Sequence, residues 1–588
     1  MSITVVRAVD GPRPAEGHTR VAAVQYAVTT EVDANLAVAL RFVEAAAAEG
    51  AQVVVLPEFG NHVSWYVDRA HARQMAVTLD GPFVKALSEA AGAHGLWLMA
   101  NCVVAREDGR TTGTNLLFSP AGELVATSDK QVLMGSERLH LDDAIGNGPI
   151  VDTPVARFGM YSCMDGVINE TPRGLAVRGA QVLLNSLNSF ALDEASLHIP
   201  VRAPENRVWI VAANKVGPLV PPEMLEQVSV GVGVPPERLH GAGESQVVAP
   251  DGTVVVMAPR TGEAIVVADI DVSLADDKAR PDGTDVMASR RPDIYAPLGA
   301  QPHGRTAPAG AASVDVAVLQ LAHDGEAAIA DAALRVREAV VAGARLVVLP
   351  ELFCFTGGVL DTSLAPAEAA HRAHVAVAAL VDAVHGTDAL VVTSLPGELA
   401  DGVSHDAVLI GAEGVQGRQP QLHRVQRHAH WVSAWADTVV VHQTPFGRLA
   451  LVVGDDAIYP ETFRLAALGE ADVVALPFTA LESWETATGL VERSGENRLV
   501  LVAATRPTSV GTSLVCDLPH DFTLWSAHWS APFAGVISHP DVVRADSQPG
   551  VLGLTVHPSE AVNRLVSRGT DLVDGRPWAL LNETVLAR

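Results

Sequence analysis

One set of landmarks occurs twice in this chain of 588 residues, about 291 positions apart. An apolar run closes in Pro-Glu at Glu58 (QVVVLPEF) and again at Glu351 (RLVVLPEL). A stretch ending in glutamate occupies 163–170 (CMDGVINE) and 454–461 (GDDAIYPE), and Arg-x-x-Glu-Asn-Arg occupies 202–207 and 493–498. Repetition at a fixed offset constrains the architecture more than any local pattern, because it says that one large folding unit was duplicated. Each half is long enough to bury a substantial core of its own. The expected boundaries are residues 1–300, a linker at 301–313, and residues 314–588. The linker lies in APLGAQPHGRTAPAGAAS (296–313), which is rich in Ala, Pro and Gly and has no periodicity.

Each half opens with a strand, a helix and a strand. RVAAVQYAV reads as a buried strand, Leu36, Leu40 and Val43 share one face of an Ala-rich helix, and VVVLPEF is the next strand. The second half repeats this with VDVAVLQLA, then Ile329, Val336 and Val340 at helical spacing, then LVVLPEL. β-Branched runs alternating with amphipathic helices indicate an α/β fold whose sheets are covered on their faces. TTGTNLLFSPAGELVATSDK and ESQVVAPDGTVVVMAP each place a Pro-x-Gly turn between apolar runs, as hairpins do.

Composition narrows the class. With 48% hydrophobic and 19% charged residues the chain is globular, and its net charge of −27 argues against nucleic acid or an anionic membrane as partner. Four cysteines (Cys102, Cys163, Cys354 and Cys516) are too few for a disulfide scaffold and fit a reducing compartment. The start is polar and broken by prolines, and no apolar stretch of about 20 residues occurs, so the expectation is a soluble cytoplasmic protein.

Three residues of the first half can do chemistry together. Glu58 ends an apolar strand, where α/β sheets commonly present ligand-facing groups, although such a carboxylate also fits a loop start or helix cap. Lys130 ends VATSDK, with Glu137 seven residues on; a strand-end lysine is either a solvated charge or the stabiliser of an oxyanion. Cys163 sits between ARFGMYS and a turn-like MDGVINE. A lone cysteine is usually a small buried hydrophobe, which suits Cys102, Cys354 and Cys516, and a thiol becomes a good nucleophile only beside a base or cation.

The combination of LPEF, DKQVLMGSE, FGMYSCMDGVINE, RAPENRVWIVAANKVG, GESQVVAPDGTVV and RRPDIY resembles the nitrilase superfamily of carbon–nitrogen hydrolases over residues 19–295. The resemblance implies a four-layer α-β-β-α sandwich, and so two of them in tandem. It implies a triad of Glu58, Lys130 and Cys163 assisted by Glu137, an oxyanion held by Lys130 and the backbone N–H of Met164, and no metal or organic cofactor. The substrate class implied is a small amide-type molecule. Cys163-Met164-Asp165 matches the amidase and carbamoylase branches rather than nitrilases. Gly166 and Val167 stand where carbamoyl-amino-acid hydrolases tend to carry arginines, which favours an amidase, with carbamoylase and nitrilase as alternatives. Trp65, Tyr66, Arg138 and Asn188 are candidate pocket residues, with core packing or surface exposure as the competing roles.

In the second half Gly454 stands where Cys163 stands in the first, and Arg424 in QLHRVQR best matches Lys130. Glu351, Asp456, Glu496 and Asn497 are kept. Asp455 could be offered as a substitute nucleophile, but its side chain would leave the backbone at the adjacent position. The second half is therefore expected to be a non-catalytic lobe, forming with the first an intramolecular pseudo-dimer, with further homo-oligomerisation left open. Two other functions stay on the table: an acyl- or amidotransferase, and a non-catalytic binding or scaffold protein.

Overall fold

The computed structural model describes residues 3–9, 11, 13–360, 364–524 and 529–587. They gather into two compact units, and each contains pieces of both repeats. The first unit is Met1–Asp277 with Asp521–Ser538 and Leu565–Ala587; the second is Lys278–His520 with His539–Arg564.

The first unit is a four-layer α-β-β-α sandwich. One sheet runs in the order Thr4–Ala8, Ala264–Asp271, His18–Gln25, Val53–Val55, Trp97–Ala105, Thr111–Phe118, Leu124–Asp129. Its middle strands are parallel, with Val21 opposite Val53 and Val53 opposite Trp97. The other sheet runs Val254–Met257, Gln246–Val248, Trp209–Ala213, Val182–Ser186, Arg157–Ser162, Val151–Asp152. Val21, Val53, Val55 and Met99 from one sheet meet Phe158, Met160, Leu184 and Val211 from the other in a fully buried layer. Both hairpins read from the sequence are present, as Thr111–Phe118 with Leu124–Asp129 and Gln246–Val248 with Val254–Met257.

Helices Val32–Ala48 and Pro82–His94 cover the first sheet, and Glu170–Val177 and Ile199–Asn206 cover the second. Val32–Ala48 buries Asn35, Ala39, Phe42, Val43 and Ala46, so the face is rotated slightly from the one the sequence suggested, with Leu36 and Leu40 at its margin. Phe42 packs against Tyr26 (ring centroids 5.1 Å apart), and its loss to alanine would cost about 3–5 kcal/mol.

The second unit repeats the plan. Its sheets run Gly414–Pro420, Gly402–Gly411, Leu390–Leu399, Leu346–Val348, Val314–Gln320, Gly550–Val556 and Val441–Thr444, Gly447–Leu451, Val473–Pro477, Val500–Ala504, Leu514–Asp517, Asp541–Arg544. Helix Ala328–Val341 buries Ile329 and Val336 on the first of these sheets, as the spacing predicts.

The tail of each repeat is built into the other repeat's unit. Residues 278–300, which include RRPDIY, pack within the second unit: Arg290 pairs with Glu461 (3.2 Å), and Tyr295 Oη lies 2.6 Å from His423 Nε2. The Pro- and Gly-rich stretch read as a linker is likewise fixed there. Arg305 reaches Asp472 at 2.5 Å, the Thr306 and Ala307 N–H groups donate to Glu470, and the Ala311 N–H donates to the Phe446 carbonyl at 2.9 Å. Conversely, Asn147 of the first repeat donates to the Leu580 carbonyl (2.9 Å), and the Gly135 N–H donates to Thr570 Oγ1 (2.9 Å), both within the first unit.

Candidate active site

Strand ends deliver the groups of the first unit's site. Val53–Val55 runs into Leu56-Pro57, and proline, with no N–H for the ladder, stops the strand just before Glu58. The Glu58 N–H donates to the Leu187 carbonyl (3.2 Å), and Ser186 Oγ donates to the Leu56 carbonyl (2.8 Å), so Glu58 is pinned where the two sheets meet. Leu124–Asp129 ends at Lys130, whose N–H donates to the Gly113 carbonyl at 2.8 Å. Arg157–Ser162 ends at Cys163.

Cys163 takes φ 46° and ψ −109°, a conformation that costs a residue with a Cβ about 1–3 kcal/mol and persists only where its surroundings over-determine it. They do so here. The Cys163 N–H donates to the Ser186 carbonyl (3.0 Å), and its carbonyl accepts from the Gly166 N–H (2.7 Å). Arg202 of the repeated Arg-x-x-Glu-Asn-Arg motif then donates to the carbonyls of Gly166 (2.6 Å) and Val167 (3.0 Å). Asp165 ties this turn to the Lys130 loop: its carboxylate accepts from the N–H groups of Gln131 (3.0 Å), Val132 (2.8 Å) and Ser162 (3.2 Å). The Asp of Cys-x-Asp thus positions two strand ends relative to one another.

Charge is concentrated in this small volume. Lys130 Nζ lies 2.9 Å from Glu58 Oε1 and 3.0 and 2.9 Å from the two oxygens of Glu137, whose Oε2 also accepts from the Met134 N–H (2.8 Å). Glu58 and Lys130 are fully buried. Burial pushes the Glu58 carboxyl up to about 7, against the pull of Lys130. Burial also disfavours the Lys130 ammonium, but Glu137 and Glu58 outweigh it and hold that ammonium well above its ordinary range. Burial and the Glu58 carboxylate keep the Cys163 thiol well above its usual value, with Lys130 opposing them. The resting arrangement is a neutral thiol, a carboxylate able to take a proton near neutrality, and a fixed cation.

Cys163, Met164 and Glu137 open onto a cavity of about 710 Å³, whose wall also includes Trp65, Arg138 and Asn188. Asn188 Oδ1 is buried there with no hydrogen-bond partner among the described residues. Arg138 pairs with Asp143 (3.2 Å). Tyr66, read beside Trp65 as a wall residue, is a packing residue instead: it stacks on His62 (centroids 5.3 Å apart) and is buried with Phe59 and Leu133.

Sequence reasoning missed four neighbours. Glu194 lines the cavity and accepts from Ser189 Oγ (3.0 Å). Lys215 lies in the NKVG stretch, where nothing in the sequence marks it as buried. Its buried ammonium has no hydrogen-bond partner among the described residues and sits 5.9 Å from the Phe59 ring centroid, while Lys130 Nζ is 5.4 Å from the same centroid. Burial pushes Lys215 down to about 7. Ile537 and Arg568, also on the cavity wall, come from the second repeat, and no local signal marks them.

The matching place in the second unit is filled. Arg427, not Arg424, stands on Glu351, with Nη2 2.6 and 2.8 Å from its two oxygens; Arg424 instead lies over the Trp435 ring. Burial alone would raise the Glu351 carboxyl, yet Arg427 and the adjoining His428 and His405 hold it far below the usual range. Glu351, His405 and His428 bring ligand-type atoms within 4.8 Å of one another, with the Arg427 guanidinium already on that carboxylate. Asp455 is no free nucleophile: it is buried between Arg280 (2.7 Å) and Arg427 (3.0 Å). Gly454 keeps the left-handed φ of 54°, and a Cβ there would lie 2.4 Å from Glu351 Oε1. Gly454→Cys in a Cys163→Ala background is therefore expected to restore no turnover and to lower the thermal midpoint, by overpacking worth about 1–3 kcal/mol. Measurable turnover by that double variant would refute the steric argument.

A profile of the family described as carbon-nitrogen hydrolase matches residues 20–280 and again 315–506. Among curated relatives, a nitrilase of Pyrococcus abyssi is 27% identical over 268 residues, covering 45% of this chain and 94% of the relative. The omega-amidase NIT2 of Danio rerio is 28% identical over 289 residues, covering 47% and 96% respectively. Among solved structures, the NitN amidase of Nesterenkonia sp. AN1 aligns at 21% identity with a TM-score of 0.38, over 47% of this chain and 98% of that one. With both repeats matched across most of their length, this chain belongs to the carbon–nitrogen hydrolase family, hydrolases of carbon–nitrogen bonds other than peptide bonds, and carries that family's domain twice.

Proposed function

We propose that the first unit is a cysteine-dependent amidase working through a thioester. The observation that carries this reading is Lys130 held between Glu58 and Glu137 next to the strained turn at Cys163. Glu58 takes the thiol proton as sulfur attacks the amide carbon, and Lys130 with the Met164 N–H stabilises the oxyanion. Collapse expels the nitrogen, to which Glu58 returns the proton, leaving R–CO–S–Cys163 and ammonia. Glu58 then takes a proton from water as its oxygen attacks the thioester, and the carboxylic acid leaves with the thiol regenerated. Glu137 keeps Lys130 oriented. In the second unit Arg427 and Gly454 replace cation and nucleophile, so that unit serves as a non-catalytic partner. Ammonia release across a panel of primary amides, carbamoyl compounds and nitriles tests the reading, together with intact-mass detection of an acyl adduct on Cys163. A panel without turnover and a Cys163 that never acylates would sink it.

The pH dependence should report Glu58. The base must be ionised, so kcat/KM rises as pH increases through a value near 7, where burial has placed this carboxyl. Lys215, when charged, favours the ionised carboxylate. Lys215→Met removes that cation, so the Glu58 proton is held more tightly and the acid limb moves to higher pH. Lys215→Arg, which keeps the charge, should shift it less. A Lys215→Met profile that overlays the wild type would show that Lys215 only fills space.

A further inference from the structure

Resting on the amidase reading, we infer that the substrate is a primary amide whose acyl group is large and apolar. The argument begins with which catalytic groups see the cavity. Cys163 and Glu137 lie on its wall, whereas Glu58 and Lys130 are fully buried and do not. The leaving nitrogen must come within hydrogen-bond reach of Glu58 to be protonated. Fully buried Glu58 and Lys130 stand on that side and do not line the cavity, which argues for a nitrogen without a substituent. The acyl side opens into the 710 Å³ space, far more than an acetyl group needs and within the range of pockets that enclose drug-sized ligands.

The wall of that space is apolar from several directions. Trp65 follows the Glu58 strand, Phe190 follows Val182–Ser186, and Val228 and Val232 project from helix Leu225–Val232. Met224 precedes that helix, and Ile537 is supplied by the second repeat. Ile537 is held in place by Asp193, whose carboxylate accepts from the N–H groups of Ile537 (2.9 Å) and Ser538 (2.9 Å). Of the cationic wall residues, Arg138 is answered by Asp143 and Arg568 is exposed to solvent. A hydrocarbon chain attached to the carbonyl would therefore exchange water for aliphatic and aromatic side chains over most of its length, with Asn188 and Glu194 as polar points on the wall.

Each methylene transferred from water to such a wall strengthens binding by roughly fourfold. Two measurements separate this inference from the reading beneath it. Turnover of acetamide, butyramide, hexanamide and octanamide by the wild-type chain tests amide hydrolysis itself. Calorimetric titration of the same four amides into full-length Cys163→Ala tests the cavity without any chemistry. The expected result is an affinity that climbs about fourfold per methylene, by about 100-fold or more from acetamide to hexanamide, with kcat/KM following it. Val228→Asp, which puts a carboxylate on the wall, should reduce the hexanamide-to-acetamide affinity ratio at least tenfold. Equal affinities for short and long amides, or no binding of the long ones, would overturn the inference even if every amide were hydrolysed. Chain-length-dependent binding without turnover would uphold the apolar acyl-chain site and overturn the amidase mechanism, and with it the assignment of a primary amide as substrate.

Discussion

Cys163→Ala should lose at least about 10⁴-fold in amide turnover while folding as the wild type does, because removing a covalent nucleophile deletes the reaction path rather than weakening one contact. The fold should tolerate the change. The hydrogen bonds that fix this residue, to the Ser186 carbonyl and from the Gly166 N–H, are made by its backbone and survive in alanine. Alanine also pays the same left-handed strain as cysteine, so no conformational relief is expected. Ammonia release, the thermal midpoint and the mass of amide-treated protein decide the matter together. An unchanged rate with an unmodified Cys163 would remove the thioester and leave Glu58 and Lys130 without an assigned role.

The second large effect concerns the length of chain an active enzyme needs. Residues 1–300 expressed alone should be essentially inactive, below about 1% of the full chain, and poorly folded. The first unit takes Asp521–Ser538 and Leu565–Ala587 from the second repeat. Phe522, Leu524, Phe533, Ile537, Val566 and Leu572 from those segments are buried against Val132, Met164, Val167 and Ile168. At about 1.5–3 kcal/mol per buried large side chain, their loss removes on the order of 10 kcal/mol, comparable to the entire net stability of a domain. Thr570 adds a local effect: its hydroxyl donates to the Leu133 carbonyl (3.0 Å) and accepts from the Gly135 N–H (2.9 Å), bracing the loop that leads to Glu137. Co-expression of residues 301–588 should restore part of the activity. A soluble, fully active 1–300 fragment would disprove the dependence.

Much of this was legible in the residues, for identifiable reasons. The repeat, the α/β pattern and the hairpins are written in local spacing, and strand ends at Glu58, Lys130 and Cys163 follow from where apolar runs stop. Alignment by neighbours points to Arg424 as the counterpart of Lys130 because it cannot register a cation shifted by three positions; only the fold brings Arg427 onto Glu351. Tyr66 was uncertain because an aromatic ring beside a catalytic strand fits a wall and a core equally well. Lys215 is not legible because a lysine in sequence carries no sign of being buried without a partner. Ile537, Arg568 and Thr570 were invisible for a different reason: they lie hundreds of residues from the chemistry, and nothing in their local composition points back to it.

The exchange of tails also sets an order of events during synthesis. The first unit's remaining pieces emerge between 244 and 310 residues after Asp277, so at 5–20 residues per second residues 1–277 wait roughly 12–60 s on the ribosome, incomplete. During that interval the apolar surface destined for Phe533 and Ile537 is uncovered, and the pocket beside Cys163 lacks a wall. A ribosome that stops anywhere in the second repeat before residue 521 leaves a chain that holds Glu58, Lys130 and Cys163 but lacks two segments of their unit. Completion of the first unit is thereby tied to translation through Ala587.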